Sequence, residues 1–377
     1  VQRQVASAAL LVGSLLGAVL LAELVLRLWQ PQAVGLNRQP LIYERDSTTG
    51  YRYRPNASGQ FTRFFEFDHT VTINAKGLHD EDRRVGGGAR VIAAVGDSFT
   101  AAMHVPIREG WPHLLELHLR ERADPSIRVV NLGLDGTGPD VQLELLKQHV
   151  AELRPELVVL GFFMNDEADI MRRRLYREVH EGYVLQYQSE EDAGKMRALA
   201  ERLRGETFRW WLFERSFLYR LGVYLRSGDH NLFRTNVMSP AEVGGRPQRR
   251  PGPSLHRILR EFESLARSEG FRLVVVPVPP KALPDASLRL LRSSVSIPGL
   301  QVIDLIGAMQ SLVAADGRTW QELYWKRDAH FSPEGNRVFA RALADALAGS
   351  LGVAADSRPL EAAPGAADAG PTSSKRN

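Results

Sequence analysis

The chain has 377 residues, 44% hydrophobic and 24% charged, a balance that supplies apolar material for one sizeable core. Its net charge is only +4 and no dense Lys/Arg stripe alternates with aromatics, so nucleic acid is not an expected partner. It holds no cysteine, which excludes disulfides, thiolate metal sites and cysteine nucleophiles.

In chain order, residues 5–22 read VASAALLVGSLLGAVLLA, eighteen positions without a charge. Leu24, Val25, Leu26, Leu28 and Trp29 extend the run past Glu23 and Arg27. Roughly 20 apolar residues cross a bilayer core, and Trp29 would sit at the interface. Residues 1–30 are therefore expected to form an uncleaved transmembrane anchor. A cleaved signal peptide or a buried core helix is the alternative, but the run is long and lacks a good small-x-small site. The flanking charges Arg3, Arg27 and Arg38 do not decide orientation; a single-pass topology with the body outside the cytoplasm, in the periplasm, is expected.

Residues 31–89 read as a linker and a small β-rich segment. The stretch QFTRFFEFDHTVTIN has the aromatic and β-branched content of paired strands, and Asn74-Ala75-Lys76-Gly77 signals a turn. From residue 90 the pattern becomes α/β and continues to about 350. Short apolar runs at 91–95, 128–132 and 157–164 predict buried parallel strands. Helices are expected over 108–122 and 139–153, the second with Pro139 in its first turn. Residues 166–250 break the rhythm with RWWLFERSFLYRLGVYLR and a loop rich in Gly, Pro and Arg; they read as an insertion over the sheet's edge, its amphipathic part expected to be buried against the sheet, with the substrate cleft or the membrane surface as the alternatives. The rhythm returns with a helix at 254–269, strands at 272–278 and 302–305, and a helix at 333–347. Residues 351–377 are Ala-, Pro-, Gly- and Ser-rich and expected to be disordered. The alternation predicts a three-layer α/β/α fold with a mainly parallel sheet.

Three strand ends carry polar residues: Gly96-Asp97-Ser98, then Gly133, then Asn165-Asp166. Ligands of open parallel sheets bind beyond the carboxyl ends of the strands, so these residues should share one rim. At Gly96-Asp97-Ser98 the chain resembles the SGNH (GDSL-like) hydrolase family. Asn131-Leu132-Gly133, Phe163-Met164-Asn165-Asp166 and Asp328-Ala329-His330 resemble the family's other blocks, in the family's order. The resemblance covers roughly residues 90–349. It implies a flavodoxin-like fold and an ester hydrolase with Ser98 as nucleophile, His330 as base and Asp328 as its support. It also implies an oxyanion hole from the N–H groups of Ser98 and Gly133 and the amide of Asn165.

The residue types suit that chemistry. A serine hydroxyl needs an adjacent base, and the base needs a carboxylate to fix its tautomer. In an extended stretch positions i and i+2 face one side, which would bring Asp328 to His330. Gly133, lacking Cβ, would let a substrate approach its backbone. One residue separates Asp328 from His330, where many lipase-like members have two; the shorter spacing is similar to envelope-polysaccharide O-acetyltransferase relatives. Singly, each residue has a plainer reading: Ser98 as a helix N-cap, Asn165 as a turn residue, Ser332 as the N-cap of the last helix.

No cofactor and no metal are expected. His104, His113 and His118 form no H-E-x-x-H pattern and read as solvated or core histidines, and Asp166, Glu167 and Asp169 as a solvated acidic loop. The expected partners are the membrane and an acyl ester, of a carbohydrate or lipid. Rival readings are an O-acyltransferase for an envelope polysaccharide and a non-catalytic envelope scaffold.

Overall fold

The structure is a computed structural model. It describes residues 2–172, 176–180, 183–187, 207–227 and 254–348, apart from 32–33, 39, 64, 84–85, 87, 295–296 and 298. The expectations for the tail 351–377 and for the Gly/Pro/Arg-rich part of the insertion lie outside these residues.

Helix α1 (Gln2–Trp29) comes first, with nearly all its apolar side chains exposed, long and apolar enough to cross a membrane. A short strand β1 (Asn37–Arg38) leads to the hairpin β2 (Tyr43–Asp46) and β3 (Gly50–Tyr53), then to β4 (Ser58–Arg63) and β5 (Phe67–Thr72). β1, β4 and β5 form one antiparallel sheet and β2 and β3 another. The stretch read as a linker therefore carries strands of its own.

The α/β body follows: β6 (Arg90–Gly96), α2 (Ser98–Ala101), α3 (Trp111–Arg122), β7 (Ile127–Gly133), α4 (Pro139–Leu153), β8 (Leu157–Phe162) and α5 (Asp166–Arg172). Next are a hairpin of β9 (Tyr176–His180) and β10 (Tyr183–Tyr187), then helices α6 (Thr207–Arg215) and α7 (Phe217–Ser227). The body closes with α8 (Leu255–Glu269), β11 (Arg272–Pro277), α9 (Ala286–Ser294), β12 (Gln301–Val302), α10 (Ile306–Ala315) and α11 (Pro333–Ala348). The third α-helix begins at Trp111 rather than 108, because Ile107–Glu109 form a separate tight turn and Pro112 fits the first turn of the α-helix. In the insertion, α7 packs against α1, and β9 lies beside β2 and β3.

The main sheet has five parallel strands in the order β12-β11-β8-β6-β7. Alternate side chains along each strand feed two cores. Val91, Ala93 and Val95 of β6 face α4, α8 and the N-terminal strands, where Ile42, Tyr43, Tyr51 and Phe61 join the same core. Ile92 and Ala94 face α3, α10 and α11, with Trp111, Leu115 and Phe339. Such period-two burial on both faces is what helices on both sides of a sheet require.

β7 is an edge strand, and unpaired edge groups invite wrong pairing. Two carboxylates cover it: Val129 N–H donates to Glu116 at 2.9 Å and Asn131 N–H to Asp80 at 3.2 Å. Arg128 donates to Glu116 at 2.5 Å and to Asp80 at 2.9 Å, so these buried acids are charge-matched. Asp80 comes from the N-terminal segment, which thus seals the body's edge.

Candidate active site

β6 ends in Gly96 and turns into α2, with Ser98 its first residue. Asp97, not Ser98, is the N-cap: its Oδ1 accepts the N–H of Phe99 at 2.9 Å. That leaves the Ser98 hydroxyl for other work. Ser98 Oγ lies 2.8 Å from His330 Nε2, and His330 Nδ1 lies 2.6 Å from Asp328 Oδ1. Asp328 Oδ1 also accepts the backbone N–H of His330 at 3.0 Å. The two side chains meet through this tight turn, not through the extended stretch that the spacing suggested.

The 324–331 loop is braced at both ends. Tyr324 and Phe331 form a bridge, Trp325 N–H donates to His330 O at 3.0 Å, and Lys281 donates to the carbonyls of Trp325 and Lys326, each at 2.8 Å. Ser332 caps α11 by accepting Gly335 N–H at 3.2 Å.

Asp328 is almost fully buried. Burial alone would raise its pKa, but the His330 imidazole beside it, the hydrogen bond that ring donates and the Arg63 guanidinium hold it well below the usual carboxylate range. With Asp328 ionised, Nδ1 of His330 carries the proton and donates, and Nε2 is left to accept from Ser98.

Sequence reasoning missed four contributors around this line. His104 is buried and stacks on His330, ring centroids 3.7 Å apart and planes 13° apart. Phe61 and Phe67 enclose it at 5.1 and 5.7 Å. Burial, then the neighbouring His330, push the His104 pKa well below the ordinary value, so it packs as a neutral ring. Arg63 of β4 reaches Asp328 Oδ2 at 3.4 Å. Glu66, between β4 and β5, accepts the N–H groups of Arg327 at 2.7 Å and Asp328 at 2.9 Å. Asp135, two residues beyond Gly133, accepts the hydroxyls of Tyr43 at 2.7 and 2.8 Å and of Tyr53 at 2.8 Å, while Tyr51 donates to its carbonyl at 2.7 Å. Tyr43 and Tyr53 are cross-strand partners in the β2–β3 hairpin. The N-terminal strands thus grip both the His330 loop and the loop after β7. The only signal in the sequence was the density of aromatics there.

His104, Asp328 and His330 offer donor atoms within 4.8 Å of one another, a spacing that a metal ion could bridge. A metal lies in the plane of each imidazole it binds. Two rings stacked face to face send their lone pairs side by side rather than to one point, so this is a packing geometry, not a chelate.

The expected oxyanion donors stand differently. Ser98 N–H has no partner among the described residues. Asn165 follows β8 and spends one amide hydrogen on Asp169, at 2.9 Å, leaving its second for a ligand. Gly133 N–H donates to Asn131 Oδ1 at 2.9 Å, and Asn131 is itself anchored on the carbonyls of His79 and Ala101 at 3.1 and 3.4 Å. Nor is Gly133 bare for a substrate: a Cβ there would lie 2.1 Å from Ala101 N. Glycine lets α2 pack onto β7.

Of the acidic trio, Glu167 is exposed as expected but the other two are not. Asp166 and Asp169 are buried on α5, with Asp166 accepting Phe163 N–H at 2.9 Å. Burial pushes the Asp97 carboxyl up to about 7, and burial and Asp97 together push Asp166 well up. These carboxyls hold the turns that carry Ser98 and Asn165.

His79 sits beneath α2, its Nδ1–H donating to Ala101 O at 2.7 Å. Burial lowers its pKa from 6.5 to about 4. The unfolded chain then binds a proton that the folded chain refuses, so stability falls as pH drops from about 6.5 to about 4. The expected loss from this group is about 3 kcal/mol at most, with His104 adding to it in the same direction. Urea unfolding at pH 7.5 and 4.5 checks this, with His79→Gln flattening the difference.

No protein-family model and no curated protein matches the chain. Several solved structures are similar to it. A catalytic mutant of Axe2, an acetylxylan esterase from Geobacillus stearothermophilus, is 14% identical, with a TM-score of 0.36, covering 73% of this chain and 100% of that one. The lipase/acylhydrolase from Enterococcus faecalis is 17% identical, with a TM-score of 0.33, over 71% and 100%. The acetyl xylan esterase AlAXEase is 12% identical, with a TM-score of 0.34, over 68% and 99%.

Proposed function

We propose that the chain is a serine-dependent ester hydrolase of the SGNH type, working through an acyl-Ser98 intermediate. The observation that supports it most is the line of hydrogen bonds Ser98–His330–Asp328, at 2.8 and 2.6 Å, beyond the carboxyl ends of a parallel sheet.

In the proposed reaction Ser98 Oγ attacks the ester carbonyl while its proton passes to His330 Nε2. The imidazolium is stabilised by the ionised Asp328. The carbonyl oxygen becomes an oxyanion held by Ser98 N–H and the second amide hydrogen of Asn165. Collapse breaks the C–O bond, and His330 returns its proton to the leaving alcohol. A water, deprotonated by His330, then releases the acid and restores Ser98. Asn165→Ala is expected to lower kcat about 10²–10³-fold with little change in KM, measured by steady-state kinetics.

The proposed substrate is a small acyl ester, acetyl above all, of a carbohydrate at the cell envelope. This rests on the family resemblance and on α1 as a membrane anchor with the body outside the cytoplasm. The single residue between Asp328 and His330 favours a second reading, transfer of the acyl group to a glycan hydroxyl. A screen of acetylated sugars and short-chain esters, with Ser98→Ala as control, tests the proposal; no Ser98-dependent turnover would refute it. Acetate as sole product selects hydrolysis, and an acylated glycan selects transfer.

A further inference from the structure

We propose that helices α6 and α7 form a second membrane contact, lying on the lipid surface beside α1 and holding the catalytic loop at that surface. This rests on the reading of α1 as a transmembrane helix. Three observations carry it.

First, α7 is fixed at the level where the apolar stretch of α1 ends. Glu23 is the first charge after that stretch. Its carboxylate accepts Phe217 N–H at 3.0 Å, Leu218 N–H at 2.8 Å and Ser216 Oγ–H at 3.1 Å, closing the start of α7. Arg27, one turn on, pairs with Glu23 at 2.8 Å, donates to Arg215 O and lies 4.8 Å over the Phe217 ring. A capped helix start held by Glu23 places the α6–α7 corner at the bilayer's edge, since a carboxylate is costly deeper in.

Second, this helix pair exposes what a lipid interface accepts. Phe208 is 68% and Trp211 47% exposed, stacked on one another with ring centroids 6.0 Å apart, and Leu225 is 73% exposed. The Arg215 guanidinium lies 5.2 Å over Trp211. Aromatic rings with an arginine above them match the boundary between acyl chains and phosphate headgroups. Continuity with α1 and the basic rim formed by Arg27 and Arg215 select a bilayer over a soluble protein partner.

Third, the same corner touches the catalytic loop. Phe217 packs on Phe65 at 5.5 Å, and Arg327 lies 5.9 Å over Phe65 and donates to Gln30 O at 3.3 Å. Gln30 directly follows α1, and Arg327 directly precedes Asp328. The site would therefore meet esters presented at the lipid surface.

The chain's lack of cysteine makes the test direct. Single cysteines are placed in the full chain by Phe208→Cys, Leu225→Cys, Leu117→Cys and Val12→Cys, spin-labelled, and reconstituted in vesicles containing anionic phospholipid. Collision with oxygen and with a water-soluble nickel chelate reads depth. Labels at 208 and 225 are expected to lie about 5–10 Å into the headgroup boundary. The label at 12 should be deep, and that at 117, on exposed α3 surface, aqueous. If 208 and 225 read as aqueous as 117 while 12 reads deep, the surface contact is refuted and the anchor stands. If 12 also reads aqueous, the anchor itself fails and this inference falls with it.

Discussion

Replacing Ser98 with alanine is expected to lower turnover of an activated acetyl ester by about 10⁴-fold or more, with the fold intact. The two halves of that expectation have different sources. The rate falls because no other hydroxyl stands at His330 Nε2 among the described residues. The fold survives because Asp97 caps the short helix, and Phe99, Thr100 and Ala101 anchor it in the interior. Kinetics and a thermal melt on one preparation separate the two. His330→Ala should cost about as much, and the double variant little more, because residues acting as a unit do not add.

Asp328→Asn is expected to lower kcat by about 10⁴-fold. The carboxylate accepts from both the ring Nδ1 and the backbone N–H of His330. An amide can turn its NH2 towards Nδ1, which reverses the tautomer and leaves Nε2 protonated, unable to take the Ser98 proton. Because Asp328 is held well below its ordinary value of 3.8, it stays ionised throughout the neutral range. Its contribution to stability is present above that ordinary value and is lost as pH falls through the depressed one. The variant's amide has no titratable proton, so acidity should not restore the wild-type rate to it at any pH where the protein is folded. A pH–rate profile of the pair checks this, and parallel profiles of equal height would contradict it.

Much of this site was legible in the sequence, because its groups sit where apolar strands stop. Gly96-Asp97-Ser98 and Asn165 lie within three residues of the ends of β6 and β8, and a run of buried β residues announces its own end. Tertiary context was less readable. Ser98 looked like a helix cap, yet Asp97 one position earlier holds the Phe99 N–H. Asp166 and Asp169 looked solvated because acidic residues usually are, but they are buried beneath the strand ends. His104 looked like any core histidine, and only the stack on His330, more than two hundred residues away, gives it a place in the site.

The N-terminal strands were the least legible. Their aromatics predicted β structure but not what it would face. Arg63 and Glu66 meet Asp328, and Tyr43, Tyr51 and Tyr53 meet Asp135, through contacts spanning between 82 and 265 residues. No local period encodes such pairings. They make the segment between α1 and the α/β body part of the frame around Ser98, His330 and Asp328.

The central claim is tested most directly by an alkyl fluorophosphonate followed by peptide mass mapping. Such a reagent bonds only to a serine whose proton is drawn away by a neighbouring base. One adduct is predicted, on Ser98, and lost in His330→Ala. A protein active on esters that carries its adduct on another serine, or labels equally well without the imidazole, would contradict the account.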